Sequence, residues 1–261
     1  MTIALASPST TIPPSMVERM TLIMDAFEGG NSRLLLEEIS RRTGLPRSTA
    51  HRILEQLVRL HWVEHTRSGY CLGRRVMVWG AREHGRSDLR AAASAYLHEL
   101  AVRTDLVVHL AVLNGLEIEY LDKVGGRRAA TVASRVGGRA PAHATALGKA
   151  ILAWLVPEDI DAMYTDGLPA ATSLAPRDVA SLHHELARVR RAGGLSFERG
   201  ECVDGVACVG AAIRGPEGPV GAISLVGTPQ MPLDRLAPLV RDTAQRIMHE
   251  LVGASRRSRT A

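Results

Sequence analysis

Four arginines lie near the amino end of the chain with no acidic residue among them. They are Arg41, Arg42, Arg47 and Arg52, and residues 40–53 contain neither Asp nor Glu. Phosphates attract guanidinium groups and repel carboxylates, so a surface that enters a duplex groove is expected to have this composition. A solvated helix face is the better explanation for any single arginine. The whole set, however, predicts an interface with double-stranded DNA.

The second half of this stretch has the spacing of an amphipathic helix that begins near Pro46. Ile53, Leu54 and Leu57 fall on one face of it. The other face, at the amino-terminal end, would reach base edges, where an arginine can make two hydrogen bonds to guanine. The free N–H groups of a helix start also favour a phosphate. The candidate contacts on this helix are Arg47, Ser48, Thr49, His51 and Arg52.

Two more helices are predicted before it. Residues 15–30 and 32–44 show apolar residues at helical spacing, and Gly29-Gly30 is the predicted end of the first helix. Gly44 can adopt the positive φ that ends the second helix, and Pro46 suits the first turn of the next. The spacing therefore indicates a helix-turn-helix with a short turn.

A small hairpin is predicted after these helices. Val63 and residues 70–72 are β-prone, and residues 66–69 provide a turn between them. Arg67 at the tip of this wing is a further candidate contact with the DNA backbone or minor groove. The order of elements predicts a winged helix-turn-helix domain over residues 14–74, preceded by a disordered leader over residues 1–13.

The rest of the chain has the pattern of an α+β domain. Residues 75–88 are expected to form a linker helix that Gly80 and Gly85 interrupt, before a second domain over residues 89–253 and a basic tail over 254–261. Hairpins are predicted through Asn114-Gly115 and through residues 215–218, with an extra strand at residues 129–134. Helices are predicted in the segments 145–155, 175–194 and 232–251. Together these elements predict an antiparallel sheet flanked by helices.

The second domain offers a modest case for a small-molecule pocket. A Gly-rich loop over residues 135–144 leads into a helix that Thr145 can cap, and free N–H groups at the start of that helix would suit a carboxylate. Two strands of small and apolar residues leave space beside Cys208 and Ser224. Tight sheet packing explains the small residues equally well, so the pattern alone leaves both interpretations open.

The charge distribution fits a DNA-binding module joined to a different second domain. Residues 1–75 hold ten arginines and seven acids, while residues 91–253 hold sixteen basic and eighteen acidic residues. Only 3% of the residues are aromatic, which argues against a platform for stacking single-stranded bases. The amino end has no signal-peptide pattern, and no apolar run is long enough to span a membrane. We expect a cytoplasmic protein with no membrane partner.

The residues do not favour an enzyme or a cofactor. Cys71, Cys202 and Cys208 form no CxxC pair, and the histidines fit no nucleophile or zinc pattern. His109 in an apolar strand is expected to be a core histidine. No metal site is predicted, and a structural metal held by His143 with Cys202 or Cys208 is the weaker alternative.

Several segments resemble the IclR family of bacterial transcription regulators. The stretch "LLLEEISRRTGLPRSTAHRILEQLVRLHWVEHTRSGYCLG" resembles the family's DNA-binding domain. "HATALGKA" and "GVACVGAAI" resemble its second domain, and their combination is the discriminating feature. The resemblance covers roughly residues 15–252 and implies a winged helix-turn-helix followed by a PAS/GAF-like effector-binding domain. It also implies a homodimer or tetramer and a small carboxylic-acid effector.

The resemblance places the effector site on positions of this sequence. They are Ala146, Leu147, Glu198, Cys208 and Ser224, where backbone N–H groups of the first two would hold the carboxylate. Glu198 stands where some relatives have Asp, and Val226 where some have a second Ser. These departures imply a larger or more apolar acid, such as an aromatic one.

The function expected from these features is control of transcription. We expect a repressor of a nearby catabolic operon whose affinity for its operator changes when the acid binds. The alternatives are a transcriptional activator of the same family and an architectural DNA-binding protein without a ligand. A response to small carboxylic acids separates the last alternative from the other two.

Overall fold

The structure, a computed structural model, describes residues 15–28 and 33–259, with side chains up to residue 253. The predicted leader, the predicted helix end at Gly29-Gly30 and the side chains of the basic tail lie outside the described residues. The chain divides into two compact units between His84 and Gly85.

The first unit is a winged helix-turn-helix, as the sequence predicts. Its elements are α1 (Met16–Asp25), α2 (Leu36–Thr43), α3 (Arg47–Arg59), β1 (Val63–Thr66) and β2 (Gly69–Leu72). β1 and β2 pair antiparallel, and Leu34 adds a single bridge to Tyr70.

Local signals account for the helix starts and ends in this unit. Ser15 caps α1 in a capping box with Glu18. Gly44 ends α2 with φ 68°, a left-handed conformation that glycine adopts without a steric cost. The apolar faces of the three helices and the wing then bury a common core that includes Ile23, Ile39 and Leu54.

α4 is one uninterrupted helix over Arg74–Thr104, so the predicted break at Gly80 and Gly85 is wrong. Glycine in a helix interior costs only about 1 kcal/mol relative to alanine, and the neighbouring residues are mostly good helix formers. Neither glycine has another group within 4 Å of the position of a Cβ, so neither marks a close packing contact.

The second unit is built on a six-stranded antiparallel sheet. Its strands are β3 (Val107–Asn114), β4 (Glu117–Val124), β5 (Arg139–Pro141), β6 (Leu195–Arg199), β7 (Ala207–Gly215) and β8 (Gly218–Gly227). Their order across the sheet is β5-β4-β3-β8-β7-β6. The two predicted hairpins are present, with Gly115 in a left-handed conformation between β3 and β4.

Helices cover both faces of this sheet. The helices after α4 are α5 (Ala146–Leu152), α6 (Pro157–Met163), α7 (Val179–Arg191) and α8 (Leu233–Arg259). The carboxyl-terminal half of α4 and α8 share one apolar core with the sheet, while α5, α6 and α7 share the other. α6 was not predicted, because seven residues carry too little helical periodicity.

The predicted strand at residues 129–134 is wrong. Residues Gly126–Thr131 form a 3₁₀ turn, and the strand that pairs with β4 is β5. The ammonium group of Lys123 donates hydrogen bonds to the carbonyls of Val132 and Ser134, at 2.6 and 2.5 Å. Two backbone carbonyls of this segment therefore accept hydrogen bonds from a side chain instead of from a neighbouring strand. No described helix is both long and apolar enough to cross a membrane.

Candidate functional site

The predicted DNA-contacting residues of α3 lie at its exposed amino-terminal end. Arg47, Ser48, His51 and Arg52 are exposed and Thr49 is half-buried. α3 starts without a side-chain cap, so its first N–H groups are available to an acceptor. The opposite face is the buried one, as predicted, so this end of the helix presents cationic and hydrogen-bonding groups together.

Two acidic residues from outside the acid-free stretch 40–53 lie close to this surface. The Glu37 carboxylate of α2 lies 3.1 Å from the Arg47 guanidinium, and Glu55 lies 3.8 Å from the His51 ring. Both pairs are exposed, and exposed pairs contribute little to stability. A phosphate could therefore replace Glu37 as the partner of Arg47 at low cost.

The other predicted arginines have different surroundings. Arg42 donates a hydrogen bond to the Ala26 carbonyl at 2.8 Å, so it ties α2 to the end of α1. Arg41 and Arg52 are exposed and have no salt bridge within the described side chains. Arg67 is exposed in the turn of the wing.

The wing is placed by a close approach of its backbone to the chain before α2. A Cβ on Gly69 would lie 2.6 Å from the Leu34 carbonyl oxygen, and Gly69 has φ 119°. Only glycine fits there without a shift of one strand. The glycine therefore allows the bridge that holds the wing, with Arg67 at its tip, against the helices.

The second unit contains a cavity of about 290 Å³ between α5 and the sheet. All five predicted effector residues line it: Ala146, Leu147, Glu198, Cys208 and Ser224. They come from α5 and three strands, and the pairing register of the strands brings the strand residues together. Glu198 pairs with Cys208, and His109 pairs with Ser224, so their side chains lie in neighbouring rows on one face of the sheet.

The start of α5 forms one wall of the cavity. Thr145 caps the helix, as predicted, because its hydroxyl accepts the Gly148 N–H at 3.0 Å. The first bond within the helix turn runs from the Lys149 N–H to the Thr145 carbonyl. The N–H groups of Ala146 and Leu147 precede this bond and are left for other acceptors.

Glu198 is a buried carboxyl group in the cavity wall. Burial raises its pKa above the ordinary value, although the Cys208 thiol and the backbone N–H of Glu201 donate hydrogen bonds to it. The Glu201 N–H lies 3.0 Å from Glu198 Oε2. Glu198 therefore takes up a proton more readily than an exposed carboxyl group, and a protonated carboxyl can donate a hydrogen bond.

A buried ion pair supports the wall behind Glu198. Lys149 of α5 is fully buried, and its Nζ lies 2.6 and 2.7 Å from the two carboxylate oxygens of Glu201. The carboxylate of Glu185 is 3.8 Å from the same nitrogen. This pair joins α5 to the loop between β6 and β7, two elements that both line the cavity.

Sequence reasoning missed several lining residues, among them His109, Tyr120 and Ser134. His109 is buried, as expected, and shares a 2.7 Å hydrogen bond with the Ser134 hydroxyl. Burial and the nearby Lys123 ammonium lower the pKa of His109 to about 3, so the ring is neutral. The two-residue alternation along β3 could have placed His109 on one face of the sheet, but that signal does not show which face borders a cavity.

The cavity does not have the features of a metal or cysteine site. Within the described residues, no three His, Cys, Asp or Glu side chains are grouped to hold a metal ion. His143, proposed as a partner of Cys202 or Cys208, lies against the Tyr164 ring and outside this cavity. Burial raises the pKa of Cys202 to about 11 and that of Cys208 well above its ordinary value, so both are thiols.

Both units match known protein families. A model of the IclR helix-turn-helix domain matches residues 16–67, and a model of the carboxyl-terminal domain of the bacterial transcriptional regulator IclR matches residues 82–249.

Curated relatives and solved structures agree with these matches. The transcriptional regulator XynR of Escherichia coli is 36% identical over 218 residues, 80% of this chain and 84% of XynR. The p-hydroxybenzoate hydroxylase transcriptional activator of Acinetobacter baylyi is 26% identical, over 86% of this chain and 87% of the activator. A crystal structure of an IclR homologue from Microbacterium hydrocarbonoxydans, complexed with 4-hydroxybenzoate, has a TM-score of 0.62 and 27% identity. That match covers 92% of this chain and 100% of the homologue.

Proposed function

The chain belongs to the IclR family of DNA-binding transcription regulators, and on that premise we propose that a small organic acid in the cavity of the second unit controls its affinity for an operator. The relatives are regulators and not enzymes. The observation that carries the proposal is the convergence of Ala146, Leu147, Glu198, Cys208 and Ser224 on one cavity.

The cavity suits an acid with an apolar body. Its volume of about 290 Å³ is at the small end of ligand pockets, and valines and alanines line much of it. We infer that the N–H groups of Ala146 and Leu147 hold the carboxylate, and that protonated Glu198 and the Ser224 hydroxyl add hydrogen bonds. An aromatic acid of the size of 4-hydroxybenzoate, which the Microbacterium homologue binds, is our candidate class.

On the DNA side, we propose that the exposed end of α3 enters the major groove. Arg47, Ser48, Thr49, His51 and Arg52 would contact bases or phosphates, and Arg41 and Arg67 the flanking backbone. Arg42 contributes mainly by holding α2 in place through the Ala26 carbonyl. A homodimer or tetramer would present two such helices to paired half-sites in the cytoplasm, where the chromosome lies.

We propose repression of a neighbouring catabolic operon as the regulatory outcome. Relatives of this chain include both a repressor and an activator, so the sign of regulation is tested directly. Deletion of the gene is expected to raise transcription of the adjacent operon. A fall in transcription instead would show that the protein is an activator.

The DNA interface is tested with promoter fragments from the chromosomal neighbourhood of the gene. In fluorescence anisotropy at low salt, Arg47→Ala and Arg52→Ala are each expected to weaken binding by about tenfold, since one arginine contact is worth about 1–3 kcal/mol. Arg191→Ala, which removes the same charge from the exposed surface of α7, is the control and should leave affinity unchanged. Unchanged binding in both α3 variants would refute the assignment of this helix.

The cavity is tested with two buried serines in the same row of the sheet. Ser224 lines the cavity, whereas Ser196 is fully buried, has no hydrogen-bond partner among the described residues and does not line it. Ser224→Ala should weaken binding of 4-hydroxybenzoate by about threefold to tenfold in calorimetry, and Ser196→Ala should not. If no aliphatic or aromatic acid binds the wild-type protein, the ligand-free architectural role is the better account.

A further inference from the structure

The second unit contains another cavity, separate from the first. It has a volume of about 280 Å³ and is enclosed by the turn after α7, the end of β7, α8 and Trp154. Among the residues that the structure describes, none lines both cavities. The acid proposed for the first cavity therefore does not occupy this second one.

The polar groups around the second cavity are cationic or neutral. Arg214, Arg241, Gln245 and His249 line it, and no acidic residue is among its described lining residues. Neither Arg214 nor Arg241 has a salt bridge within the side chains that the structure describes. Two guanidinium groups that share a concave space without a carboxylate create a positive potential there, and guanidinium groups bind oxyanions through paired N–H donors.

Packing holds these groups around the opening. The Arg214 guanidinium lies 3.5 Å from the centre of the Trp154 ring, a cation–π contact that orients it. Arg241 of α8 lies against Gly193, where a Cβ would be 3.2 Å from its terminal nitrogen. Gly193 and Gly194 both have positive φ, and a Cβ on Gly194 would come within 3.1 Å of the Trp154 ring. The glycine turn therefore leaves the space that a side chain would fill.

An unmet hydrogen bond lies in the same wall. The Trp154 indole nitrogen is buried and has no acceptor among the described residues, and it lies next to Gly194. A buried donor without an acceptor is costly, and such groups are normally satisfied by protein, water or ligand. Within the described residues, the cavity thus combines two arginines without a salt bridge and room for a small molecule, and the buried indole N–H lies within its wall.

We propose that this second cavity binds a small dianion, either a phosphate monoester or a dicarboxylate, through Arg214 and Arg241. The site is separate from the acid cavity, so the effector domain has two ligand positions. Phosphate and carboxylate oxygens offer the same acceptor chemistry to a guanidinium group, and the two probes below distinguish them.

The test measures binding of inorganic phosphate and of succinate to the full-length protein by equilibrium dialysis, against chloride at equal ionic strength. We expect at least one probe to bind with one equivalent per chain that Arg241→Gln weakens by about tenfold or more. The control is Arg235→Gln, an exposed arginine earlier on α8 that does not line the cavity. Ser224→Ala should leave this binding unchanged, which separates the site from the acid cavity.

Three results would overturn the proposal. Binding of neither probe above the chloride background would show that the cavity is not an anion site. Equal loss in Arg241→Gln and Arg235→Gln would indicate unspecific attraction to basic surface. A change of oligomeric state in Arg241→Gln without loss of anion binding would assign the cavity to an interface between copies of this chain.

Discussion

Replacing Lys149 by Met is expected to destabilise the effector-binding unit strongly. Methionine has a similar length and is flexible enough to fill the same space. The change leaves the Glu201 carboxylate without the ammonium group that now lies 2.6 and 2.7 Å from its oxygens. The variant therefore loses the positive charge that pairs with Glu201, but it keeps the packing of the aliphatic part of the side chain.

The magnitude follows from burial. The Lys149 side chain is fully buried and that of Glu201 is 13% exposed. Breaking a buried pair by removing one partner costs about 3–5 kcal/mol, because the remaining charge has lost water as well as its partner. For a unit of this size that cost corresponds to a fall in Tm on the order of 10 °C. Replacing Glu201 by Met as well removes the second charge, so the double variant should recover most of the loss.

The loss should also depend on pH in a defined direction. Burial already raises the pKa of Glu201 despite the attraction of Lys149, and removal of the ammonium raises it further. A carboxyl whose folded-state pKa is raised stabilises the fold below its unfolded-state pKa, and this contribution is lost as pH rises through the folded-state pKa. The deficit of Lys149→Met should therefore shrink as pH falls from 7.5 towards 5.

Scanning calorimetry of the full chain at fixed protein concentration measures both effects. Arg103→Met, which breaks an exposed pair with Glu99 on α4, is the control and should leave the Tm nearly unchanged. A deficit below about 1 kcal/mol for Lys149→Met, or one that does not vary with pH, would refute the reasoning, since either result means that Glu201 is well solvated in the folded protein.

Two further predictions concern α5 and Glu198. Gly148→Ala should destabilise the second unit and abolish its response to acids, because the new Cβ would lie 2.1 Å from the Ala142 carbonyl oxygen. Gly80→Ala in α4 meets no atom within 4 Å and should instead stabilise the protein by about 0.5–1 kcal/mol. Thermal unfolding measures both changes. In the wild-type protein, calorimetric affinity for 4-hydroxybenzoate should fall as pH rises through the raised pKa of Glu198, because the ionised carboxylate repels the ligand. Glu198→Gln should flatten that dependence, and an equally steep profile in the variant would assign the titration to another group.

The sequence was most informative where a local signal decides the structure. Gly44 and Pro46 identify the helix-turn-helix, Asn114-Gly115 identifies a hairpin, and Thr145 identifies the start of α5. Each signal acts over a few residues, through backbone conformation or one capping hydrogen bond. Such signals can be recognised without knowledge of the rest of the chain.

Predictions failed where tertiary contacts or neighbouring residues outweighed a local signal. The segment 129–134 has the residues of a strand, yet Lys123 takes two of its carbonyls and β5 takes the edge of β4. Gly80 and Gly85 look like breaks, yet α4 continues through both. Local propensity is a weak bias, and tertiary contacts and neighbouring residues override it.

The sequence by itself determined the family, the α+β class of the second domain and the composition of the α3 surface, because these depend on residue type and short spacing. Only the tertiary structure decided that Glu37 lies beside Arg47, that Lys149 pairs with Glu201 fifty-two positions away, and that a second cavity forms around Arg214 and Arg241. The physical reason is that ion pairs and cavities form between segments that come together only when the sheet and helices pack. The spacing of residues within one segment carries no information about those contacts.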